Sequence, residues 1–193
     1  LVELEHIGAG LLYDPVANRC VESRDSVVPA DHVVDGVSMS RDNRSLTVWL
    51  QVAEDCNLRC TYCYAQHGSY GKARTLMTWD QAEAICDYLV QQLQTSFGSL
   101  KVVFFGGEPL LNFNVIAKTV AYLRGCDATR AKPLSFAIST NGLLLDHDVR
   151  QFIVENCLSL LVSMDGSRET HDRHRRDASG SGSYDAALAN CRA

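Results

Sequence analysis

Four runs of strand length recur along the chain, and each gives way to a polar or glycine-rich motif: SLTVWLQVA (45–53), LKVVFF (100–105), LSFAIST (134–140) and LSLLVSM (158–164). LKVVFF is apolar on almost every residue, as a buried strand is, and Gly106-Gly107 ends it. Between the runs lie segments of helical period. MTWDQAEAICDYLVQQLQTS opens on Thr78 as N-cap and sets Ala82, Ile85, Leu89 and Leu93 on one face. NFNVIAKTVAYLRG predicts a second helix that stops at Gly125. DHDVRQFIVENC (146–157) predicts a third, with acidic residues at its N-terminus, where they suit the helix dipole. SGSGSYDAALANC reads as a loop leading into a fourth. Strands alternating with helices predict an α/β fold of parallel βα units. About four such units fit either an open doubly wound sheet or part of a barrel, and in both the loops after the strands carry the chemistry. Residues 1–45 depart from this pattern. Short strand-like pieces, AGLLYDP and DHVVDGVSM, predict a small β-rich lead-in before a core at 46–193.

A chain of 193 residues can bury a substantial core, and 46% apolar residues, 21% charged residues and a net charge of −5 describe an ordinary globular protein. No basic stripe recommends nucleic acid as a partner. The apolar runs are too short to cross a bilayer, and LVELEHIGAG has no basic stretch followed by an apolar one. A cytoplasmic location with no membrane partner is the expectation. The chain opens at Leu1 and closes in AALANCRA, within a helical pattern, which reads as the N-terminal portion of a longer protein.

Eight cysteines stand at 20, 56, 60, 63, 86, 126, 157 and 191. A disulfide framework fits poorly with a chain of this length and periodicity. Cys86, Cys126 and Cys157 are expected as buried or half-buried small apolar side chains. The group CNLRCTYCY (56–64) needs its own explanation. Structural zinc takes four ligands, and beyond these three only His67 is near. Ferredoxin clusters use four cysteines at other spacings. Three thiolates suffice for a cubane iron–sulfur cluster whose fourth iron is left to an outside ligand, much as catalytic zinc keeps a position for water.

The C-x3-C-x2-C loop, followed in order by GGEPLL, STNG and SMDG at successive strand ends, resembles the radical S-adenosylmethionine superfamily. CNLRCTYCYAQHGSYG, VVFFGGEPLLNF and VSMDGSRETHDRHR are most similar to its peptide- and protein-modifying maturases: thioether-forming enzymes, quinohemoprotein amine dehydrogenase maturases and, more distantly, sulfatase maturases. The resemblance covers residues 46–193. It implies a partial (β/α)6 radical SAM barrel in which Cys56, Cys60 and Cys63 hold a [4Fe–4S] cluster, and the amine and carboxylate of S-adenosyl-L-methionine chelate the fourth iron. One-electron reduction then releases a 5′-deoxyadenosyl radical that takes hydrogen from the substrate. This asks for a potential near the low end of the iron–sulfur range of roughly −700 to +450 mV, and for a low-potential donor of flavodoxin or ferredoxin type.

By position in the motifs, the resemblance assigns cosubstrate contacts to Tyr62, Gly106, Gly107, Glu108, Ser163 and Arg175. A carboxylate at 108 suits the methionyl ammonium, and an arginine fork at 175 suits its carboxylate. Ser139, Thr140, Asn141 and Asp165 stand at strand ends facing the same site, or only shape turns. HDRHRR (171–176) also reads as a solvated basic loop, and His171 with His174 is a weak metal pattern. The implied substrate is a ribosomally made precursor peptide or protein, modified by a thioether or similar cross-link. Formylglycine formation in a sulfatase is the alternative within the family, and a non-catalytic metal-binding module the alternative outside it. GAGLLYDPVANRCVE resembles a leader-recognising β-hairpin, with a plain structural cap as the other reading. The family's further βα units and cysteine-rich extension, with its auxiliary clusters, have no counterpart in this sequence.

Overall fold

The computed structural model describes residues 44–192 throughout and, before them, the backbone of three short strands. These are β1 (Glu5–Ile7), β2 (Leu11–Asp14) and β3 (Arg19–Glu22), paired antiparallel in the order β1-β2-β3. Leu11 pairs with Glu22 and Asp14 with Arg19, so within GAGLLYDPVANRCVE the described residues are two antiparallel strands, Leu11–Asp14 and Arg19–Glu22. The segment DHVVDGVSM lies outside the described residues.

The second sheet is parallel and follows chain order: β4 (Ser45–Ala53), β5 (Ser99–Gly106), β6 (Leu134–Thr140) and β7 (Ser159–Val162). Its crossovers carry α1 (Trp79–Thr95), then α2 (Phe113–Gly125) with the short α3 (Asp127–Arg130), then α4 (His147–Glu155). Beyond β7 come α5 (Arg168–His174) and α6 (Tyr184–Arg192). A doubly wound sheet reverses its strand order and covers both faces. Here the order never reverses, and one core of β4–β6 residues with α1, α2 and α4 lies on a single face. That is a segment of a barrel wall.

Helices α1, α4 and α5 begin where a side chain satisfies a free N–H group. Thr78 and Gln81 form a reciprocal capping box on α1, and Asp146 accepts from Val149 N at 2.9 Å on α4. Helix α1 buries Ala82, Cys86, Leu89 and Leu93, while Ile85 is only half-buried. Three of the four expected positions are thus fully buried, and Cys86, also expected as a buried small side chain, takes the fourth place from its neighbour Ile85. Cys157 departs from expectation: it is exposed, with φ 48°, in the left-handed turn that ends α4.

Gly106 and Gly107 are required by backbone contact. Gly106 has φ 151°, and a Cβ there would strike the Ala53 carbonyl; a Cβ on Gly107 would strike the Asp55 carbonyl. The ends of β4 and β5 therefore touch main chain to main chain, with Gly107 N donating to Ala53 O at 2.9 Å and Glu108 N to Asp55 O at 2.8 Å. This contact seats the cysteine loop over the strand ends.

Candidate active site

The loop between β4 and α1 is tied at its base by Glu54 N to Thr75 O at 2.8 Å and Met77 N to Val52 O at 3.0 Å. Asn112 adds its amide, donating to the carbonyls of Val52 and Met77 at 2.8 and 2.9 Å. A distant segment holds the loop's far side: Arg59 N donates to Arg176 O at 2.6 Å, and Thr61 N to His174 O at 2.9 Å. Clamped this way, Cys56, Cys60 and Cys63 are all half-buried and line one cavity of about 300 Å³. Trp49, Phe105, Ser139 and Ser163 face the same cavity from the strands.

Burial pushes the Cys56 thiol up to about 11 and raises that of Cys60 as well, with the Arg175 guanidinium opposing the rise at Cys60. Thiolates here therefore call for a positive centre beside them, which a metal provides. Among the described residues, no three His, Cys, Asp or Glu side chains converge on a single ion. A cubane makes a different demand, because each thiolate binds its own iron. The Cys56 sulfur already accepts from Leu58 N at 3.3 Å and Asn141 Nδ2 at 3.8 Å. Three soft donors on one loop, facing one cavity, fit an iron–sulfur cluster.

Opposite the thiols, Arg175 is 8% exposed and donates from Nη1 to the Tyr62 hydroxyl at 2.6 Å. Tyr62 in turn donates to Asp165, whose other oxygen lies 3.6 Å from the same guanidinium nitrogen. Burial first, and then this bond to Asp165, push the Tyr62 phenol up, so it stays a donor. The Nε of Arg175 is buried and has no partner. A buried guanidinium N–H without an acceptor is costly, and a ligand carboxylate is the natural acceptor.

Of the residues expected at the site, Cys56, Cys60, Tyr62, Cys63, Gly106, Gly107, Ser139, Thr140, Asn141, Ser163 and Arg175 line the cavity. Glu108 is placed differently. Its side chain is fully buried beneath the loops, where its carboxylate accepts from Leu110 N at 3.0 Å, Thr140 Oγ1 at 2.7 Å and Asn141 N at 2.8 Å. It ties the loop after β5 to the loop after β6. His171 bonds to Ser183 and Asp165 N, and His174 to Thr61 Oγ1 at 2.9 Å, so both rings serve the protein's own hydrogen bonds. Trp49 and Phe105, edge to face at 5.8 Å, were missed as lining residues. Trp49 alternates with core residues along β4, and that period of two was the available signal there; Phe105 ends the unbroken apolar run of β5, which carries none.

A family model described as the Radical SAM superfamily matches residues 50–193. The chain belongs to the radical SAM superfamily. Members of this superfamily use a [4Fe–4S] cluster and S-adenosylmethionine. The Fe-coproporphyrin III synthase of Methanosarcina barkeri (strain Fusaro / DSM 804) is 35% identical over 166 residues, which is 86% of this chain and 37% of that protein. A cysteine-type anaerobic sulfatase-maturating enzyme of Clostridium novyi (strain NT) is 28% identical over 152 residues, 76% of this chain and 40% of that protein. The solved structure of native anSMEcpe with bound AdoMet and Kp18Cys peptide superposes with a TM-score of 0.66 at 25% identity, over 77% of this chain and 40% of that one. This radical SAM chain therefore spans about two fifths of the length of the relatives it matches. Among the described residues, no helix is long and apolar enough to cross a membrane.

Proposed function

We propose that the whole protein is a radical SAM enzyme that modifies a peptide or protein substrate after translation, with thioether cross-linking as the expected product. The reading rests above all on one arrangement: three thiols and an unpartnered, buried arginine N–H sit around a single cavity. Cys56, Cys60 and Cys63 would hold the cluster, and Arg175 with Ser163 would take the carboxylate of S-adenosylmethionine. Gly106 and Gly107 reach the cavity only through backbone, which suits an ammonium donating to carbonyl oxygens. Glu108 would act from behind them by holding the loops in place. Cluster and cosubstrate together supply one-electron cleavage of the sulfonium and a radical able to abstract hydrogen. Trp49 and Phe105 would keep water from that radical. Electrons would come from a flavodoxin- or ferredoxin-type donor, in a cytoplasmic setting. β7 is an edge of the parallel sheet, and its exposed Leu160 and Leu161 lie where a further βα unit would pack.

The sulfatase-maturase likeness supports a peptide substrate and, equally well, oxidation of a sulfatase cysteine or serine to formylglycine in place of cross-linking. A second reading has its own support: the relative at 35% identity across 86% of this chain is named for an iron porphyrin product. One experiment separates these. The full-length protein, reconstituted and reduced without oxygen, is given S-adenosylmethionine with a candidate precursor peptide, a sulfatase peptide or an iron porphyrin precursor. Formation of 5′-deoxyadenosine that rises with one of the peptides, together with a mass change in it, is the expected result. Stimulation by the porphyrin precursor alone would transfer the assignment to tetrapyrrole chemistry. Stoichiometric zinc with no iron uptake would end the radical reading.

A further inference from the structure

The functional reading leaves one fully buried titratable side chain without a task. His171, on α5, is 0% exposed, and both ring nitrogens are engaged. Its Nδ1 lies 3.3 Å from the backbone N–H of Asp165, which can only donate, so Nδ1 accepts. The proton therefore sits on Nε2 and is donated to Ser183 Oγ at 2.9 Å. The Ser183 hydroxyl in turn donates a hydrogen bond to the carbonyl of Arg175 at 2.7 Å. The Tyr184 ring closes the pocket edge-on at 5.5 Å. One imidazole thus connects the main chain of Asp165 to the main chain of Arg175, the two residues whose side chains meet at the Tyr62 hydroxyl.

We propose that His171 is the positioning residue of the carboxylate subsite: as the neutral Nε2–H tautomer it fixes Asp165 and Arg175 against Tyr62, and proton uptake by its ring loosens the guanidinium and weakens binding of the cosubstrate's carboxylate. The inference rests on the reading that Arg175 receives that carboxylate. Its physical basis is donor count. A protonated ring carries N–H on both nitrogens, so Nδ1–H would face the Asp165 N–H, donor against donor, at a fully buried ring. The charged groups acting on the ring are Asp165 from the turn after β7 and Asp172 and Arg175 from α5 and its end; from α6 comes Tyr184, and the Arg168–Asp185 pair lies behind its ring. Burial and Arg175 outweigh the two carboxylates and hold the imidazole below its ordinary range. The neutral form is therefore the resident one at neutral pH, and acid is the perturbation.

The test is equilibrium binding of S-adenosylmethionine to the full-length, cluster-loaded protein, read from the change in the cluster's electron paramagnetic resonance spectrum as pH is lowered from about 8 to about 5.5. The wild type should lose about tenfold in affinity on the acid side. His171→Gln keeps one acceptor and one donor but cannot take up a proton. It should bind within about threefold of wild type at neutral pH and show no acid-side loss. Ser183→Ala, which cuts the link to the Arg175 carbonyl, should weaken binding about fivefold at neutral pH with unchanged iron content. If His171→Gln keeps the full acid-side loss, or Ser183→Ala binds like wild type, the positioning role is overturned while the functional reading stands. If the wild type shows no spectral response to S-adenosylmethionine at any pH, the functional reading fails and takes this inference with it.

Discussion

The two faces of the parallel sheet are built from alternate residues of the same strands and have become different materials. Leu50, Val102, Phe104, Phe136 and Ile138 turn toward the helices and are almost wholly buried, with Phe104 stacked on Phe136 at 6.1 Å. Trp49, Phe105 and Ser139, each one residue from Leu50, Phe104 or Ile138, turn toward the cavity of the three thiols, joined by Ser163 just past β7, and Trp49 is 54% exposed. Burial of apolar area is what stabilises a domain, so the first face carries most of the fold's free energy. The second face gives up part of that area to keep a cavity open. Substitutions on the two faces should therefore fail in different ways.

The largest effect belongs to the thiols. Replacing Cys56, Cys60 or Cys63 with Ala should abolish iron incorporation and 5′-deoxyadenosine formation, while lowering stability of the cluster-free chain by no more than about 1 kcal/mol. Iron analysis beside chemical denaturation checks both halves. A cysteine variant that kept full iron content would remove that residue from the ligand set. The matched pair on β5 comes next. Phe104→Ala should cost about 3–5 kcal/mol, because it deletes a fully buried ring and leaves a cavity. Phe105→Ala, one residue along and half-buried, should cost about 1–2 kcal/mol and act mainly on cosubstrate binding. Equal losses of stability at the two positions would erase the distinction between the faces.

Glu108 belongs to neither face and joins them, since its carboxylate sits beneath the loops that the core strands deliver to the cavity. Burial pushes its pKa up even though three donors point at it, Thr140 Oγ1 and the backbone N–H groups of Leu110 and Asn141. In Glu108→Gln an amide NH2 would have to face one of those donors. The expected cost is about 1–3 kcal/mol, with cosubstrate affinity falling as the Asn141 loop shifts. Denaturation and binding measured on the same preparation test this, and an unchanged denaturation midpoint would refute it.

Strand positions were legible because apolar runs and their terminators are local: β4 and β6 occupy the residues expected of them. The thiol group was legible for the same reason, as its spacing lies within one loop. What failed to show is what long-range pairing decides. Arg175 meets Tyr62 across 113 residues of sequence, and nothing near either residue announces the contact or the role of Asp165 between them. Helix α5, RETHDRH, has no apolar face to betray it; the Ser167 cap and a buried histidine hold it. Glu108 was expected to meet a ligand's ammonium because a carboxylate beside glycines suits one. Its burial under the loops depends on where Thr140 and Asn141 arrive from the neighbouring strand.

The smallest effect sharpens the comparison at its rim, where the frame of the cavity is polar and should answer to pH while the apolar face should not. The folded-state pKa of His171 is lowered, chiefly by burial, from the ordinary 6.5. Between the lowered value and 6.5 the unfolded chain binds a proton that the folded chain refuses, so stability rises with pH across that window. The contribution is complete above about pH 6.5 and is lost as pH falls toward the folded value, with a slope of at most about 1.4 kcal/mol per pH unit for one site. His171→Gln should remove this slope, and Phe105→Ala should leave it intact. Denaturation midpoints recorded at intervals from about pH 7.5 down to about pH 5 would resolve the two curves. A slope that survives in His171→Gln would assign the proton to another group and leave the imidazole a purely structural part of the frame.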